Sequence, residues 1–424
     1  MNKKQHKMRE MKDSGISWVG EIPKEWRCLP IRALFTENRN KNFLGKETKA
    51  LQFKYGTIIP KKNFDPEENY VAETILNYNI VDRGMIMLNG LNLNFDFVSK
   101  RIALVTERGI ITSAYMSFYP TDTMTVLSEY ANYLLKSYDN CAAFHNMGGG
   151  VRKILNFDEL KRQYFVLPPL SEQQRIAEFL DRECGKIDGL KTDIQEQIDT
   201  LEQYKRSVIT EAVTHGLNPS APMKDSGIPW VGKTPEYWKV RRIGGLYELR
   251  NQKVSDKDFM PLSVTMKGIL PQLETAAKTN DGDNRKLVRV GDFAINSRSD
   301  RRGSCGISDY DGSVSLINTI LKPRNRMNAK YYNWLFHTPM FADEFYKWGH
   351  GIVDDLWTTN WSEMKRISIP LPPLDEQQEI ADYLDNKCAE IEQIIADKKS
   401  QIETLDGYKK SLIYEYVTGK KEVI

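Results

Sequence analysis

LPPLSEQQRIAEFLD at Leu167–Asp181 returns as LPPLDEQQEIADYLD at Leu371–Asp385, with 11 of 15 positions identical. The paired prolines forbid a helix running in from upstream. Ser171 and Asp375 then serve as N-caps, with Gln174 and Gln378 three residues on at the capping-box spacing. Glu172 and Glu376 fall in the first turn, where the helix dipole favours negative charge. Apolar residues then step by three and four. The first copy carries Ile176, Leu180, Cys184, Ile187, Leu190, Ile194, Ile198, Leu201, Tyr204 and Val208. The second carries Ile380, Leu384, Cys388, Ile391, Ile394, Ile402, Leu405, Tyr408 and Leu412, with Lys398 replacing the equivalent of Ile194. This spacing predicts two long helices with coiled-coil seams, from about Ser171 to Val213 and from about Asp375 to Val417. Each would be ~65 Å long. Gly216 and Gly419 mark their ends. Helices polar on their other faces need a partner to bury the stripe. The other copy supplies one, either antiparallel within one chain or from a second molecule.

A second repeat opens each half. MKDSGISWVGEIPKEW at Met11–Trp26 returns as MKDSGIPWVGKTPEYW at Met223–Trp238, with 11 of 16 positions identical. The residues between the signatures hardly match, so one scaffold carries two different middles. The chain divides into a globular unit (1–170), a long helix (171–216), a linker with a second globular unit (217–374), and a second helix with a basic tail (375–424). The middles are rich in β-type runs, at Ala103–Val105, Ile110–Phe118, Val288–Ile295 and Val314–Leu321. IVDRGMIMLN at Ile80–Asn89 aligns with LVRVGDFAIN at Leu287–Asn296, each placing a turn glycine between strands. Short helices are expected near Asp158–Lys161 and Ser362–Lys365. The fold expected is α+β: two globular domains separated by an antiparallel coiled coil of two long helices, with a pseudo-two-fold internal repeat. The repeat-matched Trp18, Trp26, Trp230 and Trp238 belong to the scaffold cores.

At 424 residues and 40% hydrophobic, the chain can build two cores. It has no apolar stretch long enough for a membrane helix, and its basic start lacks the apolar run of a secretory signal, so a cytoplasmic protein is expected. The five cysteines form no CxxC pair. Net charge is only +3, but Asn284–Arg302 gathers six Arg or Lys against two Asp.

Catalytic signatures are missing. No phosphate-cradling GxxxxGK[ST] loop, HExxH zinc motif or [DN]PP[FY] methyltransferase motif occurs. Glu159–Lys161 and Glu363–Lys365 read ExK like the tail of a nuclease motif. An upstream aspartate can be proposed only in the first unit, Asp122, so these residues read as solvated helix positions.

The SGIxWVGxxPxxW opening and the LPPLxEQQxIAxxLD helix start, each present twice, resemble the specificity subunit of type I restriction-modification enzymes. The likeness runs from about Met11 to Gly419. It implies that each globular unit is a target-recognition domain reading one half of a bipartite asymmetric DNA site. It also implies that the helices set the spacer and that the chain is not catalytic. The partners implied are double-stranded DNA, two modification subunits and restriction subunits, with no membrane. No cofactor is implied on this chain; S-adenosylmethionine belongs to the modification partner, ATP and Mg to the restriction partner. The rival reading is a non-DNA adaptor with two protein-binding heads on a coiled-coil rod.

Candidate DNA contacts lie in the unmatched middles. In the first unit Lys54, Tyr55, Lys61 and Lys62 flank a glycine turn; Asn92 and Asn94 suit adenine and are followed by Lys100 and Arg101; Arg152 and Lys153 follow the triple glycine in a loop placed to close over the DNA backbone. In the second, Asn296 suits adenine, and Arg298, Arg301 and Arg302 either read guanine or grip phosphate. Thr265, Lys267, Trp357 and Asn360 complete the set.

Overall fold

The tryptophan that ends each opening signature donates a hydrogen bond to the glutamate that opens each long helix. Trp26 Nε1 lies 2.9 Å from Glu172 Oε2, and Trp238 Nε1 lies 2.9 Å from Glu376 Oε2. Both indoles are buried. The two repeated motifs are thus two halves of one joint, formed twice.

The computed structural model describes residues 9–62, 64, 75–148, 153–272, 282–298, 302–324, 326–351 and 357–423. The chain forms two compact units. Unit 1 comprises Met1–Ile194 with Ser400–Ile424, and unit 2 comprises Gln195–Lys399. The helices are α1 (Ser128–Asn140), α2 (Phe157–Leu160), α3 (Leu170–His215), α4 (Ile243–Leu246), α5 (Ala329–Phe336), α6 (Pro339–Lys347), α7 (Trp361–Met364) and α8 (Leu374–Val417). No described helix is long and apolar enough to cross a membrane.

The long helices α3 and α8 start differently from the capping-box expectation. The carbonyl of Pro169 accepts from Glu172 N and Gln173 N at 2.9 and 3.0 Å, and that of Pro373 accepts from Gln377 N at 2.9 Å. The proline carbonyls open the helices, so Ser171 and Asp375 already lie inside the first turn. Gln174 and Gln378 donate instead to Glu178 and Asp382 one turn on. The structural role falls to the neighbouring glutamines. Buried Gln173 donates to the carbonyls of Pro168 and Thr125 and accepts from Leu127 N. Buried Gln377 donates to the Pro372 carbonyl and accepts from Asn328 N. Each satisfies backbone groups in a buried corner, where an orphaned group is costly.

The helices pair antiparallel within one chain. In unit 1 Asp188 meets Lys409 and Lys191 meets Asp406; in unit 2 Lys205 meets Glu392 and Gln197 meets Lys398. Residue numbers fall on one helix as they rise on the other. Lys398, the break in the stripe, therefore bonds across to a polar partner. Each head also holds the end of the long helix that starts in the other copy. Tyr130 OH donates to Val417 O at 3.0 Å in unit 1, and Tyr331 OH donates to Val213 O at 3.0 Å in unit 2. The seam is narrower than its sequence period suggests. Leu190, Tyr204, Ile394 and Tyr408 are exposed, and Ile395 is buried beside Ile394. A 3.6-residue turn drifts off a 3.5-residue repeat, so part of each stripe turns away from the partner helix.

The unmatched middles share one topology. Unit 1 has a four-stranded antiparallel sheet ordered Phe35–Glu37, Met116–Pro120, Ile86–Leu88, Ile102–Leu104. Unit 2 repeats it as Tyr247–Leu249, Asn318–Pro323, Phe293–Asn296, Cys305–Ile307. Each sheet carries a hairpin, Leu51–Lys54 with Thr57–Pro60 in unit 1 and Leu262–Thr265 with Gly268–Pro271 in unit 2. The glycines between aligned strands, Gly84 and Gly291, hold φ 88° and 85°, the left-handed turn that their alignment predicts. A helix then docks each head on its long helix. Tyr133 OH of α1 donates to Asp181 at 2.7 Å, and Trp334 Nε1 of α5 donates to Asp385 at 2.9 Å. The fold is α+β with an internal repeat, and each unit contains a segment of the antiparallel helix pair.

Candidate nucleic-acid interface

Each head gathers most of its candidate residues on a hairpin tip and on a loop that begins one strand from it. In unit 1 the tip is Tyr55–Gly56, and Lys54 places its ammonium 5.6 Å from the Tyr55 ring centroid. A Cβ on Gly56 would lie 2.8 Å from Lys100 Cβ, so the tip rests against Lys100. Lys61 and Lys62 are exposed just past the far end of the hairpin, with Lys61 over Phe64. The loop from Asn89 to Arg101 exposes Asn92, which holds φ 53°, together with Phe95, Phe97 and Val98. Asn94 accepts from Lys153 N, tying this loop to the chain after the triple glycine.

Arg101 is a correction. Its side chain is fully buried and donates to the carbonyls of Asn89, Leu91 and Asp96. It shapes the loop from within and cannot reach a phosphate. Asn296 is a second correction. It is buried, and its side chain accepts from Arg298 N at 3.0 Å. Asn89, at the same point in unit 1, accepts from Leu91 N at 3.1 Å. Both asparagines turn the chain out of a strand rather than read a base.

In unit 2 the tip is Met266–Lys267. Thr265 folds its hydroxyl onto the turn, donating to Gly268 O and accepting from Lys267 N. Arg298 is exposed, and its carbonyl accepts from Tyr346 OH. Arg302 pairs with Asp343 and lies over the Tyr346 ring. Trp357 is half-buried and donates to Tyr346 O at 2.8 Å, while Asn360 is exposed at the start of α7. Arg152 and Arg301 lie outside the described residues. The described residues of the basic run Asn284–Arg302 do not fold into one patch. Arg285 is buried against Ser313, Lys286 donates to Asn318 O, and Arg289 pairs with Asp311.

The two ExK stretches sit on short helices. Glu159 closes a capping box with Asn156, and Asp122 accepts from Thr125 and Met124 in a local turn. No group of three or more His, Cys, Asp or Glu among the described residues is placed to hold a metal ion. Sequence reasoning missed Arg206 and Lys410, which sit one repeat apart on α3 and α8 and are exposed. Their signal was the repeat itself, read for cations rather than for apolar residues.

A family model of the type I restriction modification DNA specificity domain matches residues 35–200 and, a second time, 235–404. A putative type I restriction enzyme MjaX specificity subunit of Methanocaldococcus jannaschii is 22% identical over 426 residues, 96% of each chain. The type I restriction enzyme MjaVIII specificity subunit of the same organism is 23% identical over 373 residues, 83% of this chain and 81% of that one. A chain solved in work on complex assembly and conformational transition of the type I R-M system superposes with a TM-score of 0.67 at 16% identity, over 94% of this chain and 99% of that one. That last likeness shows the fold; the double family match covers most of both heads and most of both long helices. The chain belongs to the family of type I restriction-modification specificity subunits, the non-catalytic DNA-recognition components of those complexes.

Proposed function

We propose that each head reads one half of a bipartite, asymmetric DNA site, that the helix pair sets the spacer, and that two modification subunits recruited by the chain methylate adenine. One observation carries this reading: two heads of the same topology bear different residues and loops of different length at the same place. The loop between the third and fourth sheet strands runs from Asn89 to Arg101 in unit 1 and only from Ser297 to Ser304 in unit 2. A shared frame with unlike contact loops suits two unlike half-sites. The functional borders follow as 1–170 and 217–374 for recognition, and 171–216 and 375–424 for the helices and tail.

The exposed residues Lys54, Tyr55, Lys61, Lys62, Asn92 and Lys100 in unit 1 are DNA contacts in this reading. Lys267, Arg298 and Asn360 are their counterparts in unit 2. Partner recruitment rests on apolar residues left uncovered in pairs. Leu190 and Ile394 share one repeat position, and Tyr204 and Tyr408 share another. Unit 1 thus shows Leu190 with Tyr408, and unit 2 shows Ile394 with Tyr204. Equivalent apolar faces suit two copies of one partner. S-adenosylmethionine would be bound by the modification subunits, and ATP and Mg by restriction subunits that join them.

The test is genome-wide mapping of N6-methyladenine in cells expressing the chain with its neighbouring modification subunit. A two-part motif with a constant gap, lost when the chain is removed, is expected. Methylation at a single undivided motif, or a pattern independent of the chain, would overturn the reading.

A further inference from the structure

The hairpin tips match where the heads otherwise diverge. Each hairpin turns through two residues, and the first is apolar in both: Tyr55 is 80% exposed and Met266 is 71% exposed. Two-residue hairpin turns select Asn, Asp or Gly. Tyr55 even holds φ 51°, in the left-handed region that a bulky side chain adopts only under strain. Neither side chain contributes to a buried core. Apolar exposure at one matched position, with strain added at Tyr55, calls for a task outside the chain's own packing.

What faces each tip is repeated as well. In unit 1 a cavity of about 460 Å³ lies between the tip and the helix pair; Tyr55, Lys100, Lys409 and Lys410 line it together with Asp139, Asp181, Asp188 and Asp406, so Lys410 is a cation without an ion pair among the described residues, in a lining of mixed charge rather than a purely basic one. In unit 2 a cavity of about 950 Å³ does the same, lined by Met266, Lys205, Arg206 and Lys399 together with Glu202 and Glu392. Lys205 and Lys409 share one repeat position, Arg206 and Lys410 the next. The first pair is engaged, with Glu392 and Asp188 respectively. Arg206 and Lys410 are exposed and form no ion pair among the described residues. Each head therefore sets an apolar finger across a groove from an uncommitted cation. Proteins that pry DNA open use those two elements, a cation for the phosphate and an apolar wedge for the base step.

We propose that Tyr55 and Met266 are wedges, each entering the base stack of its own half-site and opening it beside the adenine to be methylated. This rests on the half-site reading above. An adenine in a duplex must leave the stack to be modified, and unstacking is costly. A non-catalytic subunit that holds the gap open lowers that cost for its partner.

The experiment uses the complete complex with its modification subunits on the mapped site. 2-Aminopurine replaces the target adenine in one half-site at a time, and its fluorescence reports opening. Tyr55→Gly is the decisive variant, because glycine relieves the φ strain and leaves the hairpin at least as stable. It is expected to cut the opening signal about tenfold in one half-site and leave the other unchanged, as loss of one base-stacking contact would. Tyr55→Phe is expected to keep the signal. Met266→Ala is expected to give the mirror image and Met266→Leu to keep it. Unchanged opening in Tyr55→Gly, equal loss in both half-sites, or equal loss in Tyr55→Phe would overturn the wedge. A wild-type complex with no two-part motif would overturn the half-site reading and the wedge with it, and the mapping shows this before any variant is made.

Discussion

The joint between head and helix is built twice from different parts. In unit 1 Glu172 accepts from Trp26 and takes both terminal nitrogens of Arg9 at 2.6 and 2.9 Å, while Arg9 also reaches Glu25. In unit 2 Glu376 accepts from Trp238 and from the Tyr237 hydroxyl at 3.1 Å. Tyr237 stands where unit 1 has Glu25. The tryptophan–glutamate bond is common to both, and the second donor has changed from a guanidinium to a phenol. Repetition therefore fixes the geometry of the joint and leaves its supporting chemistry open. The helix pair differs too. Gly185, Gly189 and Gly407 weaken its segment in unit 1, where the matching positions of unit 2 hold Ala389, Gln393 and Gln203. A Cβ at any of these glycines would meet nothing within 4 Å, so the chain's own packing does not require them.

The largest effect should come from breaking the matched apolar faces one unit at a time. Leu190→Asp with Tyr408→Asp should weaken one modification subunit by about a hundredfold or more, as losing central interface anchors does. Native mass spectrometry should then show one partner where the wild type is expected to bind two. Ile394→Asp with Tyr204→Asp should remove the other. Two retained partners in both variants would place docking elsewhere.

Next come the joints. Glu172→Gln turns an amide toward Arg9 and should cost about 2–3 kcal/mol by denaturant unfolding, as loss of a charge-assisted bidentate pair does. Glu376→Gln keeps an acceptor for Trp238 and a polar partner for Tyr237, and should cost less than ~1 kcal/mol. Equal losses would mean that Arg9 adds nothing to the joint.

Smaller still, Gly185→Ala, Gly189→Ala and Gly407→Ala should each stabilise unit 1 by up to about 1 kcal/mol. Amide exchange should slow in its helix segments and not in those of unit 2. Slower exchange in neither unit would mean that the helix stability is set by packing alone.

The smallest effect concerns one position filled differently. Lys136 of α1 stands where unit 2 has His337, the residue that caps the C-terminal end of α5. Burial, then Lys409 and Lys100, push the Lys136 ammonium down to about 8. Burial also lowers His337. Between about pH 8 and the ordinary lysine value, the unfolded chain holds a proton that the folded chain has released. Stability of unit 1 should therefore rise with pH across that window. Lys136→Met should flatten the slope and add on the order of 1 kcal/mol at neutral pH. A slope that survives the substitution would assign it to another group.

The long helices were legible because a sustained 3.6-residue period has few other readings. Their first turn was not, because a proline carbonyl can open a helix as a capping side chain does, and Ser171 and Asp375 offered the more familiar cap. The seam was overdrawn at Leu190, Tyr204, Ile394 and Tyr408, since spacing shows which residues share a face but not how far a partner covers it. The common topology of the heads was only hinted at by the aligned turn glycines. Strands tolerate any apolar set of the right alternation, so two sheets can match while their sequences do not. Contact residues were least legible. Arg101 and Lys100 are neighbours of like charge, yet one is buried on three carbonyls and the other exposed against the hairpin tip. Only the fold separates them.

The central claim, that two matched heads read two half-sites independently, is tested most directly by exchanging Met1–Leu170 for the same segment of a relative and mapping N6-methyladenine again. The account predicts that one half of the motif changes while the other half and the gap stay as they were. A change in both halves would contradict it.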